Sequence, residues 1–228
     1  MTLKTLATGS TGNSYILSHN GKHLILDAGI PVAEIKKGID YDIGNIEACL
    51  ITHSHLDHCR AVKGLENMGI KVWQPYIDKE HKRVKTYFGD FEVECFDVPH
   101  GCENRAFLVN IDNTTVLYAT DYEYIPYNLV SRNINIALVE MNYQTDRIVD
   151  MDEHRKHTVL HHAEEKTVIE FLASIKNSLR TVVLCHMSKS GLLDRDLAME
   201  HIREVIPENI DVQYAVPKSE VNLDECPF

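Results

Sequence analysis

The chain has 228 residues, of which 44% are hydrophobic, and a formal net charge of -11 at pH 7. This length and apolar content predict a single domain over residues 1–228. The acidic balance argues against a broad phosphate-tracking surface, because nonspecific affinity for nucleic acids comes from lysine and arginine.

Short β-type runs and amphipathic helical runs alternate along the chain, which predicts an α/β fold in which helices cover a sheet. We predict helices at 77–87, 163–177 and 194–205, because apolar residues recur there at helical spacing. The predicted strands are, in chain order, 3–7, 14–18, 24–26, 49–51, 71–73, 91–95, 106–110, 115–119, 136–140 and 181–184.

No run of about 18 apolar residues and no charged leader segment is present, so we expect a cytoplasmic protein without a membrane span. The six cysteines form no CxxC pair. This spacing predicts reduced thiols and argues against a structural zinc site built on cysteine.

Polar residues with metal-ligand chemistry follow four of the predicted strands. These are the segment 53–58, His100, Asp121 and His186. Loops at strand ends commonly carry functional residues on a rigid sheet. We therefore expect one edge of one sheet to hold all four groups. By position alone, His100, Asp121 and His186 are each as consistent with a capped or surface residue as with a ligand.

The segment from His53 to His58 reads HSHLDH and places three imidazoles and a carboxylate in one short loop. Composition alone would produce this spacing roughly 0.003 times in such a chain, so a chance match is a poor explanation. Imidazole and carboxylate ligands suit Zn²⁺, with manganese or iron as alternatives. We expect two divalent cations, with His53 and His55 at one and Asp57 and His58 at the other.

Motifs along almost the whole chain resemble those of the metallo-β-lactamase fold superfamily. In order they are LATGSTGNS, LILDAG, ITHSHLDH, DVPHG, YATDYEY, ALVEMNY, HHAEEKTVIEFL and LCHMSKS. The first is similar to the opening of the WalJ/YycJ group of small hydrolases and of related phage-borne proteins. The resemblance implies an αββα sandwich of two mixed β-sheets flanked by helices, a dinuclear site at one edge, and a homodimer.

The resemblance also implies a role for individual residues. The implied ligands are His53, His55, His100 and Asp121 at the first metal, and Asp57, His58, Asp121 and His186 at the second. Asp27 resembles a structural aspartate that holds the metal loop by hydrogen bonds to its backbone. Glu140 and His162 are similar in context to residues that ribonuclease Z-like members use near the leaving group, with His161 as an alternative to His162. WalJ-like relatives often have an aspartate where this chain has Gly101.

The expected reaction is attack of a hydroxide, oriented by Asp57, on a phosphodiester, with His162 protonating the leaving group. The chain has no spare segment for the inserted domain of β-CASP-type members or the RNA-gripping arm of ribonuclease Z. This favours a small phosphodiester such as a cyclic nucleotide, as in phage anti-Pycsar phosphodiesterases. The alternatives are an exonuclease on DNA or RNA, a thioester or lactone hydrolase, and a non-catalytic binding module, against which the complete ligand set argues.

Overall fold

A computed structural model describes residues 1–77, 82–188 and 191–224. In these ranges the strands are β1 Thr2–Ala7, β2 Ser14–His19, β3 Lys22–Leu26, β4 Ile46–Leu50, β5 Val72–Trp73, β6 Arg83–Phe88, β7 Phe91–Val98, β8 Asn104–Ile111, β9 Thr114–Ala119, β10 Ile136–Glu140, β11 Thr181–Cys185, β12 Asp211–Tyr214 and β13 Glu220–Asn222. The helices are α1 Val32–Gly38, α2 Leu56–Cys59, α3 Val62–Asn67, α4 Glu153–Val159, α5 Glu165–Ile175 and α6 Arg195–Val205.

The strands form two mixed sheets. Within the described residues, the first sheet has the order β13-β1-β2-β3-β4-β5 and the second the order β12-β11-β10-β9-β8-β7-β6. In the first sheet β3, β4 and β5 run parallel and the other pairs are antiparallel. In the second sheet β9 to β12 run parallel, whereas β6 to β9 form an antiparallel meander.

Apolar packing separates the molecule into four layers. The two sheets meet through side chains that include Leu17 and Leu26 on one side and Phe107 on the other. The outer face of the second sheet packs on α5 and α6, where Leu172 and Ile202 are fully buried. The outer face of the first sheet packs on α1 and α3. The predicted αββα sandwich of two mixed β-sheets flanked by helices is therefore confirmed.

Helix α5 shows how the sequence positions these layers. Val168, Leu172 and Ile175 lie on one buried stripe at helical spacing. The helix begins at Glu164, whose side chain accepts a hydrogen bond of 2.9 Å from the backbone amide of Thr167. Helices are thus found where the sequence predicts them at 163–177 and 194–205.

The helix predicted at 77–87 is wrong. Residues 78–81 lie outside the described ranges, and 83–88 form strand β6, which pairs antiparallel with β7. Its valine, threonine, tyrosine and phenylalanine residues favour an extended backbone. The Gly89-Asp90 turn, with Gly89 at φ 54, then closes a tight hairpin between Phe88 and Phe91.

The ligand-bearing loops come from both sheets rather than from one edge of a single sheet. The 53–58 segment follows β4 of the first sheet, whereas His100, Asp121 and His186 follow β7, β9 and β11 of the second. The single-sheet expectation is wrong because the chain crosses between the layers after β5. The site therefore lies where the two sheets meet at one edge of the sandwich.

Two further expectations can be compared with the described residues. None of the helices in the described ranges combines the length and hydrophobicity needed to span a bilayer. Cys49, Cys59, Cys95, Cys102 and Cys185 carry free thiols, as expected, whereas Cys226 lies outside the described residues.

Candidate metal centre

The HSHLDH segment forms the start of a short helix rather than an irregular turn. His55 lies at the N-cap of α2, and its carbonyl oxygen accepts a hydrogen bond of 2.9 Å from the amide of His58. This turn directs the buried His58 ring inward and leaves Asp57 half-buried. His53, which is fully buried, lies immediately before the turn.

Three residues at strand ends adopt left-handed backbone conformations. Asp27 follows β3 with φ 57, Asp121 follows β9 with φ 53, and His186 follows β11 with φ 48. Such conformations are uncommon for residues other than glycine and cluster at functional sites, where the surrounding structure maintains them. Here the sharp change of direction points each side chain back across the end of the sandwich.

One group of potential ligands lies around His53. The ligand atoms of His53, His55, His100 and Cys102 all lie within 4.8 Å of one another. The Nε2 atom of His53 is 2.9 Å from Nδ1 of His55. Nδ1 of His100 donates to the carbonyl oxygen of His161 at 2.9 Å, which leaves Nε2 of His100 as a free lone pair.

Asp121 connects this group to a second one. Its Oδ2 lies 3.7 Å from Nε2 of His53 and 3.5 Å from Nε2 of His58. Its Oδ1 lies 3.3 Å from Nδ1 of His186. Asp57 completes the second group, with its Oδ2 3.7 Å from Nε2 of His58. The structure thus brings together all seven residues that the sequence predicts as metal ligands.

The residues present fit divalent cations. Nε2 of His100 and Nε2 of His186 are buried and have no hydrogen-bond partner among the described residues. A buried nitrogen without a partner loses its hydration, and that cost is removed when it binds a cation. Imidazole nitrogens and carboxylate oxygens are the ligands that zinc and similar metals prefer. The His and Asp clusters could therefore hold divalent metal ions.

The electrostatics of His53 and Asp121 match this donor set. Burial and the neighbouring His58 lower the pKa of His53 to about 2, so its ring is neutral, as a metal ligand must be. Burial alone would raise the pKa of Asp121. The neighbouring His186 and His58 outweigh burial and hold that pKa well below its usual range, which keeps the carboxylate ionised.

Asp27 holds the metal loop through more contacts than the sequence predicts. Its carboxylate accepts from the backbone amide of Thr52 at 2.8 Å, which is the expected backbone bond. It also accepts from Nδ1 of His58 at 2.7 Å and from the hydroxyl of Tyr118 at 2.6 Å. The bond to Nδ1 fixes the orientation of the His58 ring and leaves Nε2 facing the site.

Asn13 and Gly29 also position the loop, and sequence reasoning missed both. Nδ2 of Asn13 lies 3.0 Å from Nε2 of His58, and its backbone amide donates to the Asp57 carbonyl oxygen at 2.7 Å. A Cβ at Gly29 would lie 1.6 Å from that same carbonyl oxygen. The signals that could have found them are the glycine in LILDAG and the asparagine in LATGSTGNS.

Glu140 lies behind the histidines rather than in the open part of the site. It is fully buried, and its Oε1 is 2.8 Å from Nδ1 of His162 and 2.9 Å from Nδ1 of His186. Burial alone would lower the pKa of His162, but the charge of Glu140 and the hydrogen bond raise it to about 9. Glu140 therefore fixes the Nδ1 side of both rings.

A cavity of about 540 Å³ opens over these groups. Among the described residues, its walls are formed by Ser10, His55, Asp57, His100, Gly101, Asp121, Asn142, His157, Thr158, Val159, His161, His162, His186, Met187, Ser188 and Leu192. Both His161 and His162 face it, so the alternative between them stays open on position alone. His161 differs in its partner, because its Nδ1 lies 2.7 Å from Oε1 of Glu123.

Comparison with known proteins agrees with this architecture. Residues 7–91 match the profile of the metallo-beta-lactamase superfamily. The exodeoxyribonuclease WalJ of Streptococcus pneumoniae is 25% identical over 240 residues, which cover 91% of this chain and 89% of the relative. The match thus extends over nearly the full length of both proteins.

Solved structures show the same fold. The metallo-beta-lactamase fold protein YhfI from Bacillus subtilis superposes with a TM-score of 0.74 at 15% identity, covering 97% of this chain and 99% of that one. The short form of human tRNase Z superposes with a TM-score of 0.66 at 13% identity, covering 99% of this chain and 100% of that one. At these identities the likeness extends to the fold alone.

Proposed function

We propose that this chain, a metal-dependent hydrolase with the metallo-β-lactamase fold, hydrolyses a phosphodiester in a small nucleotide. The observation that carries the proposal is the position of His162. Its Nδ1 is held by Glu140 at 2.8 Å, and its ring centroid lies 5.4 Å from that of His186 and 5.7 Å from that of His100. A fixed proton donor beside metal ligands suits a substrate whose leaving group is an alkoxide, which is a poor leaving group unless protonated.

In this proposal two zinc ions would be held in the site. The proposed ligands are His53, His55, His100 and Asp121 for one ion and Asp57, His58, Asp121 and His186 for the other. When bound, the ions supply a nucleophile at neutral pH and neutralise the negative charge on the phosphate oxygens. Zinc is favoured over manganese because imidazole nitrogens dominate the donor set.

The chain's own residues position the reacting groups. Asp57 is half-buried at the cavity wall, so its carboxylate can accept a proton from the attacking water and orient it. His162 donates a proton to the departing oxygen from the other side of the cavity. Glu140 is a positioning residue, because it contacts His162 and His186 and not the substrate space.

The cavity supports a small nucleotide as substrate. Its volume of about 540 Å³ lies within the range of sites that enclose a single small ligand. Among the described wall residues there is no lysine or arginine, and the net charge of the chain is -11. A long nucleic-acid strand needs cations along its path to bind tightly. We therefore propose a cyclic nucleotide as the first substrate class to test.

An exonuclease is the second candidate, and a specific observation favours it. The matching proteins of Streptococcus pneumoniae and Bacillus anthracis are both exodeoxyribonucleases, and the alignments cover 89% and 88% of their lengths. An exonuclease presents one terminal nucleotide at a time to the metal site, which the same cavity could accommodate. The two candidates differ outside the cavity, where an exonuclease must also bind the rest of the nucleic-acid strand.

Parallel assays separate the two candidates. The protein with added Zn²⁺ or Mn²⁺ is incubated with 3′,5′- and 2′,3′-cyclic mononucleotides and, separately, with end-labelled single-stranded DNA and RNA. We expect opening of a cyclic phosphodiester that Asp121→Asn abolishes. Release of mononucleotides from DNA with intact cyclic substrates would instead establish the exonuclease, and no cleavage of any of these substrates would overturn the proposal.

A further inference from the structure

Cys102 places a thiol within the cluster of histidines around His53. The Sγ atom lies within 4.8 Å of the ligand nitrogens of His53, His55 and His100. Sγ also makes a long contact of 3.8 Å with the Glu103 carbonyl oxygen, which is weak enough for a stronger partner to replace. The arrangement brings three imidazoles and one thiol around a common point.

The backbone holds this thiol in place. Strands β7 and β8 pair as far as Val98 and Asn104, so the five residues between them form a closed loop. His100 and Cys102 are two residues apart in that loop and therefore move together. The buried Nε2 of His100 has no hydrogen-bond partner among the described residues, which marks the space between these side chains as a position for a ligand.

We propose that Cys102 is an additional donor to the first metal position, beside the three histidines and the shared Asp121. This inference rests on the proposed binding of metal at the site. On binding, the thiol proton is released to solvent and a sulfur–metal bond forms, with no change of oxidation state. Thiolate is a soft ligand that favours zinc over manganese, so Cys102 makes the first position selective for zinc.

Cysteine spacing gives no sign of this site. The histidine donors come from the 53–58 segment and from His100, so no CxxC pair is involved. The absence of such a pair was the reason for expecting no structural zinc site on cysteine. The position of a single thiol among histidines becomes visible only in the structure, where the loop after β7 approaches the loop after β4.

Cys59 provides a matched control on the same side of the molecule. Its thiol is half-buried like that of Cys102, and its Sγ lies 3.3 Å from the Ser54 carbonyl oxygen. It does not occur in any of the groups of potential ligands found among the described residues. The remaining described cysteines, Cys49, Cys95 and Cys185, are buried in the sheets.

The first experiment uses the wild-type protein and measures alkylation of each cysteine by mass spectrometry. The protein is treated with iodoacetamide after removal of metal and again after loading with Zn²⁺. We expect Zn²⁺ to slow alkylation of Cys102 by at least about tenfold and to leave Cys59 unchanged. Equal rates at Cys102 with and without bound Zn²⁺ would overturn the proposal.

The second experiment compares Cys102→Ser with Cys59→Ser after loading with Co²⁺. We expect a thiolate-to-cobalt charge-transfer band in the near ultraviolet for wild type and Cys59→Ser, and its loss in Cys102→Ser. The preference for Zn²⁺ over Mn²⁺ should also fall by at least about tenfold in Cys102→Ser.

A band that persists in Cys102→Ser, or is absent from wild type, contradicts the proposal. Metal content by elemental analysis separates this result from failure of the proposed function. Protein that binds metal without a thiolate band refutes only the role of Cys102, whereas protein that binds no metal refutes both.

Discussion

Three histidines of the site have Nδ1 held by a neighbour and Nε2 directed into the site. His58 is held by Asp27, His100 by the carbonyl oxygen of His161, and His186 by Glu140. A partner at Nδ1 sets the tautomer and leaves Nε2 as a lone pair. At the scale of single residues, the site is therefore preorganised for cations by groups that themselves do not bind them.

Asp27→Asn tests this orientation. An asparagine keeps the size of the side chain, but only its amide oxygen can accept a hydrogen bond. It therefore cannot accept from Thr52, His58 and Tyr118 as the two carboxylate oxygens of Asp27 do. We expect metal affinity to fall about 10- to 100-fold, measured by competition with a chromogenic chelator. Asp112→Asn is the control, because Asp112 is an exposed aspartate 3.0 Å from His19 and away from the site. Unchanged affinity in Asp27→Asn would contradict the role of this residue.

His162→Ala tests the proton donor. For a substrate with an alkoxide leaving group we expect kcat to fall about 10²- to 10⁴-fold. The loss should be much smaller for bis-(p-nitrophenyl) phosphate, because p-nitrophenolate leaves without protonation. The comparison of the two substrates removes effects on metal binding, which would lower both rates alike.

His161→Ala and His157→Ala serve as comparisons, since both residues also face the cavity. A leaving-group-dependent loss in His161→Ala instead would assign the proton donor to that residue. The thioester or lactone hydrolase would be favoured if His162→Ala kept full activity on a thioester and none of the variants cleaved phosphodiesters.

At the scale of elements, the metal loop depends on close approach of three backbone segments. Asn13 in the loop before β2, Gly29 in the turn after β3 and Asp57 in helix α2 meet here. The amide of Gly29 donates to the carbonyl oxygen of Asn13 at 2.8 Å. The amide of Asn13 in turn donates to the carbonyl oxygen of Asp57 at 2.7 Å. No side chain fits at Gly29 without moving this backbone.

Gly29→Ala should therefore displace the metal loop. The added Cβ would lie 1.6 Å from the carbonyl oxygen of Asp57, so backbone must shift. We expect loss of tight metal binding together with destabilisation of about 1 to 3 kcal/mol, measured by metal titration and urea unfolding. Gly44→Ala is the control, because nothing lies within 4 Å of its Cβ position. Equal metal affinity in the two variants would show that the loop tolerates the shift.

At the scale of the whole molecule, the site joins the two sheets. The 53–58 segment follows a strand of the first sheet, whereas Asp121 and His186 follow strands of the second. A cation held between these loops binds only the folded protein, because the loops do not converge in the unfolded chain. Metal binding should therefore stabilise the packing of the two layers.

Removal of metal should lower the Tm. At a free metal concentration about 100 times the dissociation constant, binding adds about 2.7 kcal/mol, which corresponds to about 5 to 10 °C for a chain of this size. The measurement is a thermal melt with and without EDTA, followed by addition of Zn²⁺. Asp121→Asn should respond much less, because it lacks the shared carboxylate. A wild-type Tm that EDTA leaves unchanged would contradict the site as described.

The expected homodimer stays a prediction, because the structure describes one chain. Analytical ultracentrifugation of the protein at micromolar concentration measures it directly. A sedimentation coefficient corresponding to 26.0 kDa, the mass of one chain, would show a monomer.

The sequence alone determined which residues are the candidate metal ligands and most of the elements that hold them. The HSHLDH segment predicted a metal site because few other roles require three imidazoles and a carboxylate in one loop. Ten predicted strands and two helices follow from hydrophobic periodicity, which is a local property of the chain. The strand at 83–88 was missed because its segment was predicted to be part of a helix, and strands β12 and β13 were not predicted.

The tertiary structure decided where those residues meet and what supports them. That the ligands come from two sheets, that Glu140 lies behind His162 and His186, and that Asp27 holds the ring of His58 all depend on contacts between distant segments. The same is true of Cys102, whose thiol reaches His53 and His55 only because the loop after β7 lies over the loop after β4. Local sequence specifies side-chain chemistry and backbone preference, whereas the distance between two loops depends on the packing of every layer between them.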